Sequence, residues 1–446
     1  MPFFRLAIGV GMCHAIAAIF RHSAILNEDR IIENDCPPFS YSLLLDLMKN
    51  PGCLLALAGC TSMLGIASAA HAQSSVIIYG NADASLDAIS VRGNITHQAT
   101  RSALRYSRVS TNGAVLGFKG TEALGNDVAA IFQLESNVSF DTGGAIGTSR
   151  SSFVGLSSPL GKVILGRFAG PARLLAITLD VNYTNDGIGS GNALMGKLGG
   201  TLATNPGVRS AVTSSRFDTN TPNAIAYVSP VAAGLQATVL YSANEKKSDA
   251  PGALVNTSSA ALGLTYAHGP LWVGSVFERI DEKNELAVPA LVGVGAHEAL
   301  TEARLGGMVD FGNATVRVLV GQTRATGSLG DAKQLVWGLG GTFNVSANGK
   351  ITGQRYHAGD ISGSSLGVPG SRFSSGADTG ATLYSLGYEH NLSKHTLLKA
   401  NVAYLKNDAK TATHGGGGYD FGKTATGFAG DGLILSGVQL GMRYNF

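Results

Sequence analysis

From residue 76 onward, apolar and polar residues alternate in short runs with a period of two. In the first run Asn81, Asp83, Ser85 and Asp87 alternate with Ala82, Ala84, Leu86 and Ala88. Further on, Leu116 and Phe118 oppose Val115, Gly117, Lys119 and Thr121, while Val128, Ala130, Phe132 and Leu134 oppose Gln133, Glu135 and Asn137. The last run sets Val438, Leu440, Met442, Tyr444 and Phe446 against Gln439, Gly441, Arg443 and Asn445. Side chains alternate across a strand, so each run reads as a strand with one apolar and one polar face. No 3.6-residue period is sustained over ~12 residues outside residues 170–200.

Sixteen such segments are predicted: 76–88, 112–122, 127–139, 150–158, 161–168, 221–229, 234–243, 257–268, 270–280, 299–311, 313–324, 333–344, 349–357, 379–391, 395–406 and 434–446. Tight connections, such as Pro159-Leu160-Gly161 and Gly312-Asn313, alternate with long ones at 169–220, 281–298, 358–378 and 407–433. A soluble sheet edge gives the same two-faced strands, so the open question is which solvent the apolar face meets. Short turns at one end and long polar loops at the other point to an outer-membrane barrel. Hydrocarbon offers the backbone no hydrogen bonds, so no edge can remain and the last strand must join the first. Phe446 is therefore expected at the end of a lipid-facing row.

Composition narrows the chemistry. With 60 glycines and only 14% charged and 7% aromatic residues, there is little material for several large aliphatic cores. Beyond residue 72 no run approaches the ~18 apolar residues of a transmembrane helix. Cys13, Cys36, Cys53 and Cys60 all precede residue 73, so disulfides, thiol catalysis and cysteine-ligated metals are excluded from the remainder of the chain. Removing the four basic and five acidic residues of positions 1–72 leaves 29 basic and 25 acidic, a scattered excess that is no nucleic-acid footprint.

The first 72 residues read separately. Met48-Lys49-Asn50, the apolar run Cys53 to Ala67 and Ala70-His71-Ala72 have the form of a secretory signal, with cleavage expected after Ala72. Leu57-Ala58-Gly59-Cys60 has the form of a lipobox, but the apolar segment runs past it to a better site. Residues 1–47 precede a complete export signal and are expected to be an upstream extension from a misassigned start, with a functional extension as the alternative. The expected organisation is thus 1–47 extension, 48–72 signal peptide and 73–446 barrel.

AHAQSSVIIYG at the mature start, LGFKGTEALGNDVAAIFQLES at 116–136, SFVGLSSPLGKVILGR at 152–167, LGYEHNLSKHTLLKANVAYLKN at 386–407 and the terminal GVQLGMRYNF resemble the general diffusion porins of beta-proteobacteria, of the neisserial and Burkholderia type. The resemblance implies a 16-stranded antiparallel barrel, a homotrimer, and a third extracellular loop folded into the pore, matched here by 169–220. It also implies passive diffusion of small hydrophilic solutes without enzymatic activity or a cofactor. The expected neighbours are outer-membrane lipid and lipopolysaccharide. A terminal aromatic is the family's signal to the barrel-assembly machinery, and Tyr444 and Phe446 match it.

In such a channel selectivity follows from pore width and from the charges at the narrowest point. The resemblance places basic residues on the wall opposite acidic residues on the third loop. The wall candidates are Arg105, Lys119, Arg150 and Arg167. Arg167 shares parity with Val163 and Leu165, so its inward placement rests on the resemblance or needs a bulge. The loop candidates are Asp180 and Asp186, with Tyr183 as lining. Many relatives carry Arg just before Leu-Gly-Phe-Lys-Gly where this chain has Val115, which leaves the sign of selectivity open. The alanines at 82, 84 and 88 form an outward row of small residues that a neighbouring subunit could approach.

Other motifs are weaker. GNALMGKL at 191–198 fails as a phosphate loop because Leu198 stands where Ser or Thr would bind magnesium. Gly415 to Gly418 reads as a flexible loop tip. The seven histidines after residue 72 show no metal-ligand spacing. A substrate-specific channel of the same fold, a barrel enzyme with a rim Ser-His or Asp-His group, and a soluble secreted beta protein remain as alternatives.

Overall fold

The computed structural model describes residues 75–93, 103–144, 146–147, 150–182, 187–198, 215–243, 253–286, 297–327, 330–364, 375–411, 418–421 and 431–446. The expectations for residues 1–72 lie outside this set, as do Tyr183 and Asp186.

Strand β1 is Ser75–Arg92. Its neighbour β2 is one strand in two pieces, Ala103–Thr111 and Val115–Gly125, which pair in turn with the upper and lower halves of β1. Then follow β3 Val128–Asn137, β4 Ser152–Ser158 and β5 Gly161–Ala169, the helix α1 Pro171–Leu179, and β6 Asn220–Val228. The chain continues with β7 Leu235–Ser242, β8 Ala253–His268, β9 Leu271–Leu286, β10 His297–Asp310, β11 Ala314–Gly327, β12 Ala332–Asn344 and β13 Gly349–Ala358. Last come β14 Ala381–Asn391, β15 Thr396–Asn407 and β16 Ile434–Asn445. Every strand pairs antiparallel with its sequence neighbours, and β1 pairs with β16 from Asn81↔Asn445 to Arg92↔Ile434. The sheet is closed, with 16 strands among the described residues.

The alternation read from the sequence is inverted relative to a soluble protein. Leu86, Phe118, Leu134, Val154, Leu305, Leu386 and the row Val438, Leu440, Met442, Tyr444 and Phe446 are exposed. Asp83, Ser85, Asp87, Glu302, Arg304, Gln354 and Gln439 are buried. Polar residues face inward, and the outward rows present aliphatic and aromatic side chains to lipid.

The closing seam is held from both sides. At the chain end Gly80 and Phe446 exchange N–H···O bonds of 3.0 and 3.1 Å. On the inner face Asp83 of β1 accepts from Lys399 of β15 at 2.7 Å and from Arg443 of β16 at 2.6 Å. Asp87 accepts from Gln439 of β16 at 2.8 Å and from Ser110 and Arg108 of β2 at 2.7 and 3.1 Å. Each seam carboxylate therefore spans two strands and leaves little charge unopposed.

The structure extends two elements beyond the sequence reading. β1 runs on to Arg92, and Ala103–Thr111, absent from the sixteen predicted segments, forms the upper half of β2. Between the halves of β2 the register with β1 shifts by one residue around Asn112-Gly113-Ala114, where Gly113 has φ +72°. That bulge reverses parity along β2. Below it Val115, Gly117 and Lys119 share the inward row; above it Ser110 and Arg108 do.

A Cβ on Gly80 would sit 2.2 Å from the Val115 carbonyl oxygen and 2.8 Å from the Phe446 ring. We expect Gly80→Val to lower the stability of the folded barrel by about 1–3 kcal/mol, through overpacking at the closing residue. A drop in the temperature at which the compact gel band converts to the unfolded band checks this; an unchanged conversion would contradict the seam geometry.

Candidate functional site

The longest connection leaves β5 at Gly170 and forms α1, with Pro171 at its first turn, where a missing N–H costs nothing. Within a few residues the chain lies against β8, β9 and β10. Pro171 packs over Gly263, Leu175 over Gly274 and Leu179 over Gly306, each where a Cβ would lie within 2.7 Å of the packed side chain. Three glycines on adjacent strands thus clear a trough in which the helix seats.

Charged and polar residues of the inner rows hold this connection. Arg304 of β10 is fully buried and binds Asp218 in a fork, at 2.6 and 3.0 Å. It also donates to the Ala172 carbonyl at 3.0 Å and to Glu302 at 2.8 Å, and Glu302 accepts from Thr323. One guanidinium therefore ties the entry of the connection, at residue 172, to its exit, at residue 218. Arg317 of β11 donates to the Thr178 carbonyl at 3.0 Å near the helix end.

Beyond the helix the chain is fastened to β13 and β14. The Asp180 carboxylate accepts from Gln354 Nε2 at 2.7 Å, the Asn182 amide at 2.9 Å, Ser190 Oγ at 2.8 Å and the Gly191 amide at 2.7 Å. Asn182 donates to Ser385 Oγ at 2.9 Å and accepts from Thr352 at 3.1 Å. Burial pushes the Asp180 carboxyl above the usual aspartate range, against the opposing pull of its hydrogen bonds from Ser190, Asn182, Gln354 and Gly191. The backbone then continues along the inner rows: Gly191 lies on the Tyr356 ring and Gly187 against Gln439 of β16. The failed phosphate loop at 191–198 is part of this packing, with Leu194, Met195 and Leu198 in an apolar cluster alongside Leu300, Val336, Leu383, Tyr419 and Phe421.

A cleft of about 460 Å³ is lined by Arg150, Arg167 and Arg173 and by one acid, Asp141, with Thr111, Asn137, Thr142, Thr219 and Asn220 among the other polar groups around them. Arg173 comes from α1 and donates to the Asp218 carbonyl. Arg150 donates to Asn137 Oδ1 at 3.1 Å and lies 3.7 Å from Glu135. Arg167 reaches the cleft next to a register shift between Gly166 and Phe168, where Gly166 has φ +139° and a Cβ would meet the Ser152 carbonyl at 2.4 Å. The extra residue of that shift lies on β6, between Thr221 and Ala224, and Phe168 keeps the buried row of Ile164, so the parity that Arg167 shares with Val163 and Leu165 is not reversed.

The other sequence candidates fall elsewhere. Lys119 is on the inward row with its ammonium 4.9 Å from the centre of the Tyr79 ring, below the arginine cleft. Arg105 is exposed on the outward row with Ser107 and Val109, because the bulge at 112–114 reverses the parity counted from Lys119; above the bulge it is Arg108 that points inward. Asp180 was expected to face solutes across the pore, but its four donors spend it on anchoring the connection. Sequence reading missed Arg173 and Arg304. Arg173 carried one usable signal, its place at the start of the stretch 170–200, where strand periodicity breaks off; Arg304 carried none beyond its inward parity.

Replacing Arg304 with Met leaves Asp218 and Glu302 as buried, uncompensated carboxylates, which should cost about 3–5 kcal/mol. We expect a lower thermal unfolding midpoint together with noisier single-channel current as the connection loosens. Asp180→Asn, which puts an amide donor among four donors, should raise current noise with a smaller loss of stability. Quiet channels in both variants would show that these anchors do not hold the connection.

Residues 56–410 match the family profile of the Gram-negative porins. The chain is 30% identical over 400 residues to outer membrane porin protein 32 of Delftia acidovorans, covering 88% of this chain and 99% of that one. It is 28% identical over 399 residues to an outer membrane porin protein of Bordetella pertussis, covering 80% and 96%. Among solved structures it is similar to an anion-selective porin from Comamonas acidovorans, at 26% identity and a TM-score of 0.66 over 84% of this chain and all of that one. A family profile spanning most of the sequence, and a relative that matches nearly end to end, place this closed sixteen-stranded barrel among the Gram-negative porins of the bacterial outer membrane.

Proposed function

We infer that this porin carries small hydrophilic solutes by passive diffusion through a lumen whose narrowest part lies beside the inserted connection, and that it favours anions there. The observation that carries the preference is the company of the charges. Arg150, Arg167 and Arg173 line one cleft, three cations against the single acid Asp141. The described acids of the connection are already engaged, Asp180 by four donors and Asp218 by Arg304. Charges at the constriction outweigh the net charge of the whole chain. The anion selectivity named for the Comamonas structure agrees with this reading.

The finer assignments belong to the same proposal. The porin works as a homotrimer, its signal peptide is removed after Ala72, residues 1–47 are an upstream extension, and the 73–446 barrel is the mature chain. The assembly machinery reads Tyr444 and Phe446, whose side chains are half-exposed at the closing strand. Lipopolysaccharide forms the outer-leaflet surroundings. A solute-specific channel is the second reading, favoured by the number of hydroxyl and amide groups beside the three arginines.

In a planar bilayer under a potassium chloride gradient, the reversal potential should take the sign of chloride preference. Arg150→Gln with Arg173→Gln should move it toward zero, with conductance changing less than about twofold. A cation-selective wild-type channel would overturn the preference, and saturable block by a single organic anion would favour the solute-specific reading.

A further inference from the structure

A water-filled barrel carries polar side chains on its inner wall. From β12 round to β1, one inward row fits this, reading Thr342, Thr352, Gly387, Asn401, Gln439 and Asp87. Four residues nearer the loop ends, the same strands present Gly338, Tyr356, Leu383, Leu405, Leu435 and Val91. The five side chains of this upper row are 2% exposed or less. An arc of apolar wall thus faces the lumen and is nevertheless sealed from solvent. Left open it would guide apolar solutes, but its burial leaves no surface for one.

Two pieces of chain cover the arc. Ile188, Leu194, Met195 and Leu198 come from the connection after β5, and Tyr419 and Phe421 from the connection between β15 and β16; all are buried in one cluster with the upper row. The second piece is fastened as well as packed. Asn407, the last residue of β15, grips the backbone of Tyr419 in both directions, accepting from its amide at 2.7 Å and donating to its carbonyl at 3.0 Å. The Tyr419 phenol accepts from Gln334 Nε2 of β12, so residue 419 reaches from β15 across β14 and β13. Phe421 meets the first piece over Gly437 of β16, where a Cβ would lie 3.5 Å from its ring and 2.8 Å from Ile188 Cδ1.

We propose that Tyr419-Asp420-Phe421 is a second selectivity element of the channel. With the connection after β5 it closes the sector from β12 to β1 to water, and so confines the flow of ions and solutes to the side on which Arg150, Arg167 and Arg173 line their cleft. The proposal rests on the channel reading above. Its consequence differs from that of the arginines themselves. Removing arginine charge alters ion preference at nearly constant width, whereas lifting the cover adds a water path that no described arginine of the cleft lines. The channel then becomes wider and less selective together. Asn407 and Gln334 act as positioning residues, since they touch the cover and leave the solute path to others.

The chain after residue 72 contains no cysteine, so a single introduced thiol reports water access in the reconstituted barrel. Leu405→Cys lies under the cover, and Thr142→Cys on the exposed edge of the arginine cleft. A charged methanethiosulfonate reagent should modify Thr142→Cys at least ~10-fold faster than Leu405→Cys, because only an accessible thiol reacts. Adding Asn407→Ala and Phe421→Ala should bring the two rates within about threefold. The same pair of substitutions without a thiol should raise single-channel conductance by roughly 1.5- to 2-fold and move the reversal potential toward zero. Phe421→Leu, which keeps an apolar cover, should leave conductance and reversal potential at their wild-type values. Equal reaction of the two thiols in the otherwise unchanged barrel would overturn the proposal, and this comparison does not depend on the double variant folding. So would a folded double variant with wild-type conductance and reversal potential. A reconstituted wild-type barrel that conducts no ions would instead overturn the channel reading.

Discussion

Everything in this molecule follows from the demand that a backbone crossing hydrocarbon leave no N–H or C=O without a partner. An open edge in lipid would cost several kcal/mol for each unpaired group, so the sheet must close and its two ends must meet. That demand explains why Phe446 pairs with Gly80 across the seam. It also explains the inverted burial, with Leu440 and Met442 outside and Gln439 inside on the same strand. The inner face of the seam adds Asp83 and Asp87, each bonded across two strands, so that closure is fixed in register as well as in fact.

A closed tube lined by polar side chains is a channel, and the inserted connection determines how wide and how charged it is. Its seat is built from absence: glycines at 263, 274 and 306 leave room for Pro171, Leu175 and Leu179. Its fastening is built from charge, with Arg304 bridging the two stems through Ala172 and Asp218. Burying that ion cluster is costly unless every member is satisfied, which is why Glu302 and Thr323 accompany it. The proposed selectivity follows from the same arrangement: Asp180 and Asp218 are spent as anchors, whereas Arg150, Arg167 and Arg173 line one cleft.

Much of this was legible in the sequence because a strand has a period of two and a membrane wall has one apolar face. The number of strands, the alternation of short and long connections, the lipid-facing terminal row and the long connection after β5 all follow from that pattern and from the resemblance carried by a few motifs. Parity also placed Lys119 on the inner row.

What the sequence could not supply was anything set by a shift of one residue or by contact between distant strands. The bulge at Asn112-Gly113-Ala114 turned Arg105 outward and Arg108 inward, since a single extra residue moves every later side chain to the opposite face. Asp180 looked like a solute-facing acid until a residue 174 positions away supplied one of its donors. The convergence of Arg150, Arg167 and Arg173 on one cleft joins a loop end, a strand end and a helix that periodicity treats as unrelated. Local alternation fixes which solvent each face of the wall meets, while the placement of charge in the lumen depends on closure and on how the inserted chain folds back, and those are properties of the tertiary structure alone.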